Sequence, residues 1–175
     1  MIDLQQKFLE HLRLIPDFPK PSIQFRDLTP VLQNHKLSNH ILDWMEKIAR
    51  PYQPQTVAAI ESRGFLFGFA LALRLGVPFV PIRKSGKLPA DTYKANYNLE
   101  YGTGVLEIHK DAIPANHKVL IHDDLLATGG TINAAQELIS QCKATPVLVV
   151  VLTQLKIFNP SMIKNKLDII SLVEI

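Results

Sequence analysis

The stretch VLIHDDLLATGGT, Val119 to Thr131, limits what this chain can fold into more than any other segment. Val119, Leu120 and Ile121 form a short apolar run, partly β-branched, after the Pro- and Asn-containing AIPANHK; the following TINAAQELISQC places apolar residues at helical spacing. The segment therefore reads as strand, loop, helix. Thr128, Gly129, Gly130 and Thr131 fall at the helix N-terminus, where the first amides have no internal partner and lie at the positive end of the helix dipole. Glycine lets the backbone approach a ligand closely, and two threonine hydroxyls add donors. On paper this is a phosphate cradle. An isolated TGGT is more often a plain βα turn with Thr131 as a helix cap.

Asp123 and Asp124 shift that balance. Two carboxylates repel a bare phosphate, so their presence points to a ligand that also offers hydroxyls or a metal ion. A sugar phosphate meets both demands, with vicinal hydroxyls donating to the acids and the backbone loop holding the phosphate.

Other strand-like runs lie at 56–60 (TVAAI), 78–82 (PFVPI), 118–121 (KVLI) and 146–152 (PVLVVVL), with helical stretches between several of them. Apolar strands alternating with helices predict an α/β fold: a mostly parallel sheet flanked by helices, whose ligands collect at the carboxyl ends of the strands. Residues 1–12 and LSNHILDWMEKIA read as amphipathic helices, and the Pro-punctuated IPDFPKPSIQFRDLTPVL cannot be a regular helix. FLFGFALALRLG is apolar nearly all round and is expected to pack between the sheet and another element.

The loops after the strands carry chemistry. Glu61-Ser62-Arg63-Gly64 follows TVAAI, and Arg83-Lys84-Ser85-Gly86-Lys87 follows PFVPI with three cations in five residues. A solvated basic turn is the ordinary explanation of such a cluster. Two cationic loops and an acid-then-phosphate loop at one sheet edge describe a site for a polyanion instead. DTYKANYNLEYGTGVLEI alternates polar and apolar residues and reads as a long hairpin-like excursion, with Glu100 and Tyr101 at its middle.

Composition excludes several classes. One domain is expected over residues 1–175, and a net charge of +3 is too small to argue for nucleic acid. The single Cys142 excludes a disulfide scaffold and suits a reduced, intracellular setting. MIDLQQKFLEHL lacks the apolar core of a signal peptide, and the most apolar run, FLFGFALAL, spans nine residues. A membrane helix needs about 20. No membrane partner is therefore expected, and a cytoplasmic location is. The six histidines show no metal-ligand spacing, there is no GxxxxGK[ST] loop, and the Gly-Thr-Gly at 102–104 lacks a dinucleotide-binding context.

The chain resembles the type I phosphoribosyltransferases, and within them the adenine phosphoribosyltransferase family. IPDFPKPSIQFRDLTP, ESRGFLFG, VPIRKSGKLP, NLEYGTGVLEIHKDAI and DDLLATGGTINAA follow in that family's order and spacing, over about 15–155, and the last twenty residues match only loosely. The resemblance implies a small N-terminal hood over about 1–35, a flexible active-site loop, and transfer of phosphoribose from phosphoribosyl pyrophosphate to adenine, giving AMP and pyrophosphate. It implies that Ala127, Thr128, Gly129, Gly130 and Thr131 hold the 5′-phosphate while Asp123 and Asp124 face the ribose hydroxyls. It assigns Arg63, Arg83, Lys84, Lys87 and Tyr101 to pyrophosphate, and Phe25, the Arg26 backbone and Leu152 to adenine. Glu100 is the implied catalytic acid–base. Mg²⁺ is the implied cofactor, held mainly through substrate with no protein metal cage, and a homodimer is the implied assembly. Ser22 stands where the family usually has Gly and His122 where an apolar strand residue is common, which predicts altered packing. Two alternatives are a purine-sensing DNA-binding regulator, for which the chain leaves no room for an added helix-turn-helix domain, and an enzyme for hypoxanthine, xanthine or orotate.

Overall fold

Fully apolar β-branched runs become central strands because both faces of a parallel sheet are covered. Thr56–Ile60 (β3) has every residue buried. In the computed structural model, which describes residues 2–99 and 102–175, the chain separates into two units, one up to Met45 and one from Glu46 onward.

The first unit contains the helix Ile2–His11 (α1), the short strands Arg13–Ile15 (β1) and Phe25–Asp27 (β2), the helix Thr29–Gln33 (α2) and most of the helix His35–Ala49 (α3). Its last element, α3, runs unbroken past the end of the unit to Ala49. β1 and β2 pair antiparallel, with Ile15 opposite Phe25 and Leu14 opposite Arg26. The Pro-rich segment ends in the five-residue α2, which tolerates Pro30 because the first-turn N–H has no helical partner to lose. Asp27 accepts hydrogen bonds from the Thr29 N–H at 2.9 Å and the Thr29 hydroxyl at 2.6 Å, fixing that entry. Ser22 adopts φ +67°, the left-handed region that glycine fills without strain, and its N–H donates to Asp17 Oδ1 at 2.7 Å. The side chain that departs from the family pattern thus sits on a glycine-type backbone.

The second unit is a seven-stranded sheet in the order β5-β6-β4-β3-β7-β8-β9, where β4 is Phe79–Lys84, β5 Thr92–Leu99, β6 Gly102–His109, β7 Lys118–Leu126, β8 Thr145–Gln154 and β9 Ile169–Glu174. β4, β3, β7, β8 and β9 run parallel; β6 pairs antiparallel with both β4 and β5. The predicted excursion is therefore a hairpin added to one edge of the parallel sheet. The helix Gly64–Leu75 (α4) joins β3 to β4, and Gly130–Gln141 (α5) joins β7 to β8. α5 contributes Ile132, Ala135, Leu138 and Ile139 to a core with Ala58, Ile60, Ile121 and Val149. Alternation along a strand sends Val57 and Ala59 to the opposite face, where Gly68 of α4 comes up against Ala59 and the His122 ring.

Two expectations change. α4 is not sandwiched: Leu66, Phe69 and Leu73 are 50, 52 and 66 % exposed, so its outer face is an open apolar stripe. β7 runs through Leu126, five residues past the run read from sequence, and takes both aspartates into the strand. Among the described residues, no helix is long and apolar enough to cross a membrane.

Candidate active site

β3 lies between β4 and β7, and the two βα units that leave it and β7 run toward opposite sheet edges. Strand order reverses there, which opens a crevice at the carboxyl ends of β3 and β7. The β3–α4 turn, Glu61 to Gly64, and the end of β7 line it. Gly64 is needed for close approach: a Cβ there would lie 3.1 Å from the His122 carbonyl oxygen and 3.2 Å from Asp123 Oδ1. Arg63, at the start of α4, reaches across and its Nε lies 2.9 Å from Asp124 Oδ2. The Glu61–Ser62 peptide is cis.

Asp123 and Asp124 are each only 9 % exposed. Burial raises the Asp123 pKa well above the usual carboxylate range, and the neighbouring Asp124 charge raises it further. Burial also raises Asp124, with the Arg63 guanidinium pulling it back. Asp123 Oδ1 accepts the Asp124 N–H at 2.9 Å. A carboxylate pair held this way, with one guanidinium against Asp124, favours a ligand that brings hydroxyl donors or positive charge.

Four residues on, the chain enters the cradle. Gly129 caps α5 at φ +81°, and its carbonyl accepts the Asn133 N–H at 2.9 Å, so the helix begins at Gly130 with no side-chain cap. Thr131 is therefore inside the first turn and is not the cap. Ala127, Gly130 and Thr131 are half-buried, Thr128 is exposed and Gly129 is buried. Behind Gly129 stand Phe158 and Ile163: a Cβ on it would meet Ile163 Cδ1 at 3.0 Å and Phe158 at 3.4 Å. Asn133 stitches that segment to α5, donating to the Met162 carbonyl at 2.8 Å and accepting the Lys164 N–H at 3.0 Å. The loosely matching tail is thus the back wall of the cradle. A cavity of about 510 Å³ shares Phe158 and Ile163 with it, lined also by Lys166, Leu167 and Asp168, and none of the anion-binding candidates reaches it.

The cationic loop at the end of β4 is held by two acids that sequence reading did not assign. Glu61 accepts the Lys84 N–H at 2.9 Å and pairs with Arg83 at 3.3 Å. Burial raises the Glu61 carboxyl, but these donors outweigh it and the pKa falls below its ordinary value. Arg83 also donates to the Lys87 carbonyl at 3.0 Å, while Lys84 and Lys87 remain exposed. Glu107 of β6 accepts from Ser85 and Gly86 in the same loop. The signal for Glu61 was present, as an acid heading ESRG; Glu107 was hidden because its partners depend on the β4–β6 register.

Arg63, Asp123, Asp124 and residues 127–131 are thus brought together at one sheet edge, with Arg83, Lys84 and Lys87 on the loop after the neighbouring strand. Leu152 is wholly buried in β8 and offers no open surface. Phe25 and Arg26 lie on the first unit, where Phe25 packs edge-on against Phe18 with centroids 5.2 Å apart. Glu100 and Tyr101 lie outside the described residues. His122 is fully buried; its ring nitrogen Nδ1 donates to the Val150 carbonyl at 2.8 Å, and Nε2 has no partner among the described residues.

The chain is similar to known proteins over most of its length. The family model for the phosphoribosyl transferase domain matches residues 27–168. The adenine phosphoribosyltransferase of Thermoanaerobacter pseudethanolicus is 48 % identical over 163 residues, covering 93 % of this chain and 94 % of that protein. Its crystal structure superposes with a TM-score of 0.93 over 98 % of this chain and 99 % of that one, at 46 % identity. The Saccharomyces cerevisiae adenine phosphoribosyltransferase, complexed with adenine and an imino-altritol bisphosphate, matches with a TM-score of 0.89 at 37 % identity, over 99 % of this chain and 100 % of that one. The Trypanosoma brucei adenine phosphoribosyltransferase, complexed with AMP, pyrophosphate and ribose-5-phosphate, matches with a TM-score of 0.88 at 26 % identity, over 98 % of this chain and 79 % of that one.

Proposed function

The chain belongs to the adenine phosphoribosyltransferase family of the type I phosphoribosyltransferases, and from that premise we propose how its residues carry the reaction. The reaction moves the 5-phosphoribosyl group of phosphoribosyl pyrophosphate onto adenine, giving AMP and pyrophosphate in purine salvage. The observation that carries the reading is the direct run of Asp123 and Asp124 into the Gly129-capped N-terminus of α5, opposite Arg63.

The 5′-phosphate sits on the amides and hydroxyls of Ala127, Thr128, Gly129, Gly130 and Thr131, where the helix dipole and free N–H groups favour an anion. Asp123 and Asp124 accept hydrogen bonds from the ribose hydroxyls. Arg63, Arg83, Lys84, Lys87 and Tyr101 take the pyrophosphate; for Arg83 this means leaving Glu61, an exchange of one anion for another. Phe25 stacks on adenine and the Arg26 backbone reads its edge, whereas the buried Leu152 has no open surface to offer the base.

Substitution at the anomeric carbon passes through an oxocarbenium-like state, as in glycoside cleavage. A base nitrogen bonds to that carbon, the bond to the pyrophosphate oxygen breaks, and the proton released from the purine imidazole passes to Glu100. The rate depends on neutralising the departing pyrophosphate and holding the reactants in line, with water kept out. Bound magnesium would neutralise part of the pyrophosphate charge. Its preference for hard oxygen donors suits substrate phosphates first, with Asp123 and Asp124 beside them.

The open stripe of Leu66, Phe69 and Leu73 on α4 supports a homodimer, since a second copy would cover it. The lone, buried Cys142 suits the reducing cytoplasm, where we place the enzyme. Incubation of the protein with Mg²⁺, phosphoribosyl pyrophosphate and adenine tests the reading: AMP and pyrophosphate in equal amounts are expected, and no AMP overturns it.

A further inference from the structure

Glu107 faces inward from β6, opposite Arg83 in the β4–β6 register, and is 2 % exposed. A buried carboxylate persists only when its charge is matched. Three donors converge on it: Lys94 Nζ at 2.8 Å from β5, the Ser85 hydroxyl at 2.7 Å and the Gly86 N–H at 3.1 Å. Lys94 first, then Ser85, hold its pKa below the ordinary value against burial. Ser85 and Gly86 form the turn that separates Lys84 from Lys87. Glu61 holds the start of the same loop through the Lys84 N–H. Left alone, a loop bearing Arg83, Lys84 and Lys87 would spread under its own repulsion. Here alternate backbone amides, at 84 and 86, are tied to two carboxylates behind it.

We propose that Glu107 is a positioning residue for the pyrophosphate clamp: it fixes the Ser85–Gly86 turn so that Lys84 and Lys87 meet the pyrophosphate of the incoming and leaving groups. The inference rests on the proposed role of the Arg83–Lys87 loop. Ordering the loop beforehand removes that entropic cost from the binding step. Glu107→Gln puts a neutral amide where three donors point, and its NH₂, which cannot accept, deprives either Gly86 or the Lys94 and Ser85 pair of an acceptor.

The test is product inhibition by inorganic pyrophosphate, measured with the KM values of both substrates. Glu107→Gln is expected to raise the pyrophosphate inhibition constant and the KM for phosphoribosyl pyrophosphate together by about tenfold, equivalent to ~1.4 kcal/mol. The KM for adenine should stay in place, a split that general loosening of the fold would not produce. Ser85→Ala, which removes one donor and keeps the charge, should move the same two constants by about threefold, a loss within the range of one hydrogen bond. Ser85→Ala decides the matter if Glu107→Gln does not fold. Unmoved pyrophosphate inhibition in the folded variants, with the wild-type protein turning over adenine, overturns the role of Glu107 alone. Absence of wild-type turnover instead overturns the reading beneath it.

Discussion

Arg63 Nε lies 2.9 Å from Asp124 Oδ2, so the residue proposed for the pyrophosphate and the residue proposed for the ribose form one ion pair across the β3–β7 crevice. The pair joins two halves of the site that are about sixty residues apart in sequence. Burial raises the Asp124 pKa, and the Arg63 guanidinium offsets part of that rise.

Asp124→Asn should lower kcat/KM for phosphoribosyl pyrophosphate by roughly 10- to 100-fold, since a hydrogen bond to a charged group is worth about 1.5–3 kcal/mol. Stability at neutral pH should change little, because the lost Arg63 pairing is set against the removal of a like charge beside Asp123. Steady-state kinetics with thermal unfolding checks both; wild-type kinetics in a folded variant would remove Asp124 from the ribose site.

Gly129→Ala combines two faults. Its φ of +81° is strained for alanine, and the new methyl would press on Ile163 Cδ1 at 3.0 Å. The expected loss is about 1–3 kcal/mol in unfolding free energy, with a raised KM for phosphoribosyl pyrophosphate as the cradle shifts. Denaturant titration and kinetics that both match wild type would show that neither constraint acts.

Much of this was legible beforehand, and the misses have physical causes. The strands of the parallel core announce themselves because burial on both faces leaves Thr56 as the one polar position in TVAAI and none in Val119 to Ile121. β7 was cut short there because His122, Asp123 and Asp124 are buried polar residues, and hydrophobic pattern cannot register a strand that buries charge. The helix α4 reads as apolar all round, and nothing in its own sequence tells which face the chain leaves open. Glu61 and Glu107 escaped because their partners lie on neighbouring strands, at distances set by register. The tail escaped because NPSMIKNKLD has the composition of a loop, yet Phe158 and Ile163 close on Gly129.

His122 gives a pH prediction. Burial lowers its pKa from 6.5 to about 4, so the folded protein binds fewer protons than the unfolded chain between those values. Its contribution is fully present above pH 6.5 and is lost as pH falls toward 4, by up to about 1.4 kcal/mol per pH unit. Urea unfolding at pH 7.5 and 5 should show wild type losing about 1–2 kcal/mol more than His122→Phe. Equal losses would mean that the ring is not held neutral by the fold.

Glu100→Gln keeps the side chain's shape and removes its proton-accepting charge. It should lower kcat by ~10²–10⁴ and leave the KM for phosphoribosyl pyrophosphate nearly intact. Arg83→Ala should raise that KM, giving the two positions separate signatures. Full kcat in Glu100→Gln, with chemistry shown to limit the rate by single-turnover measurement, would remove Glu100 from the proton transfer.

The central claim is that this site joins phosphoribose to adenine and to no other purine. A single competition, with Mg²⁺, phosphoribosyl pyrophosphate and equal adenine, hypoxanthine and guanine, measures it directly when the nucleotides formed are separated and counted. AMP is expected as the dominant product, with IMP and GMP at trace level. IMP or GMP forming at a rate comparable to AMP would contradict it.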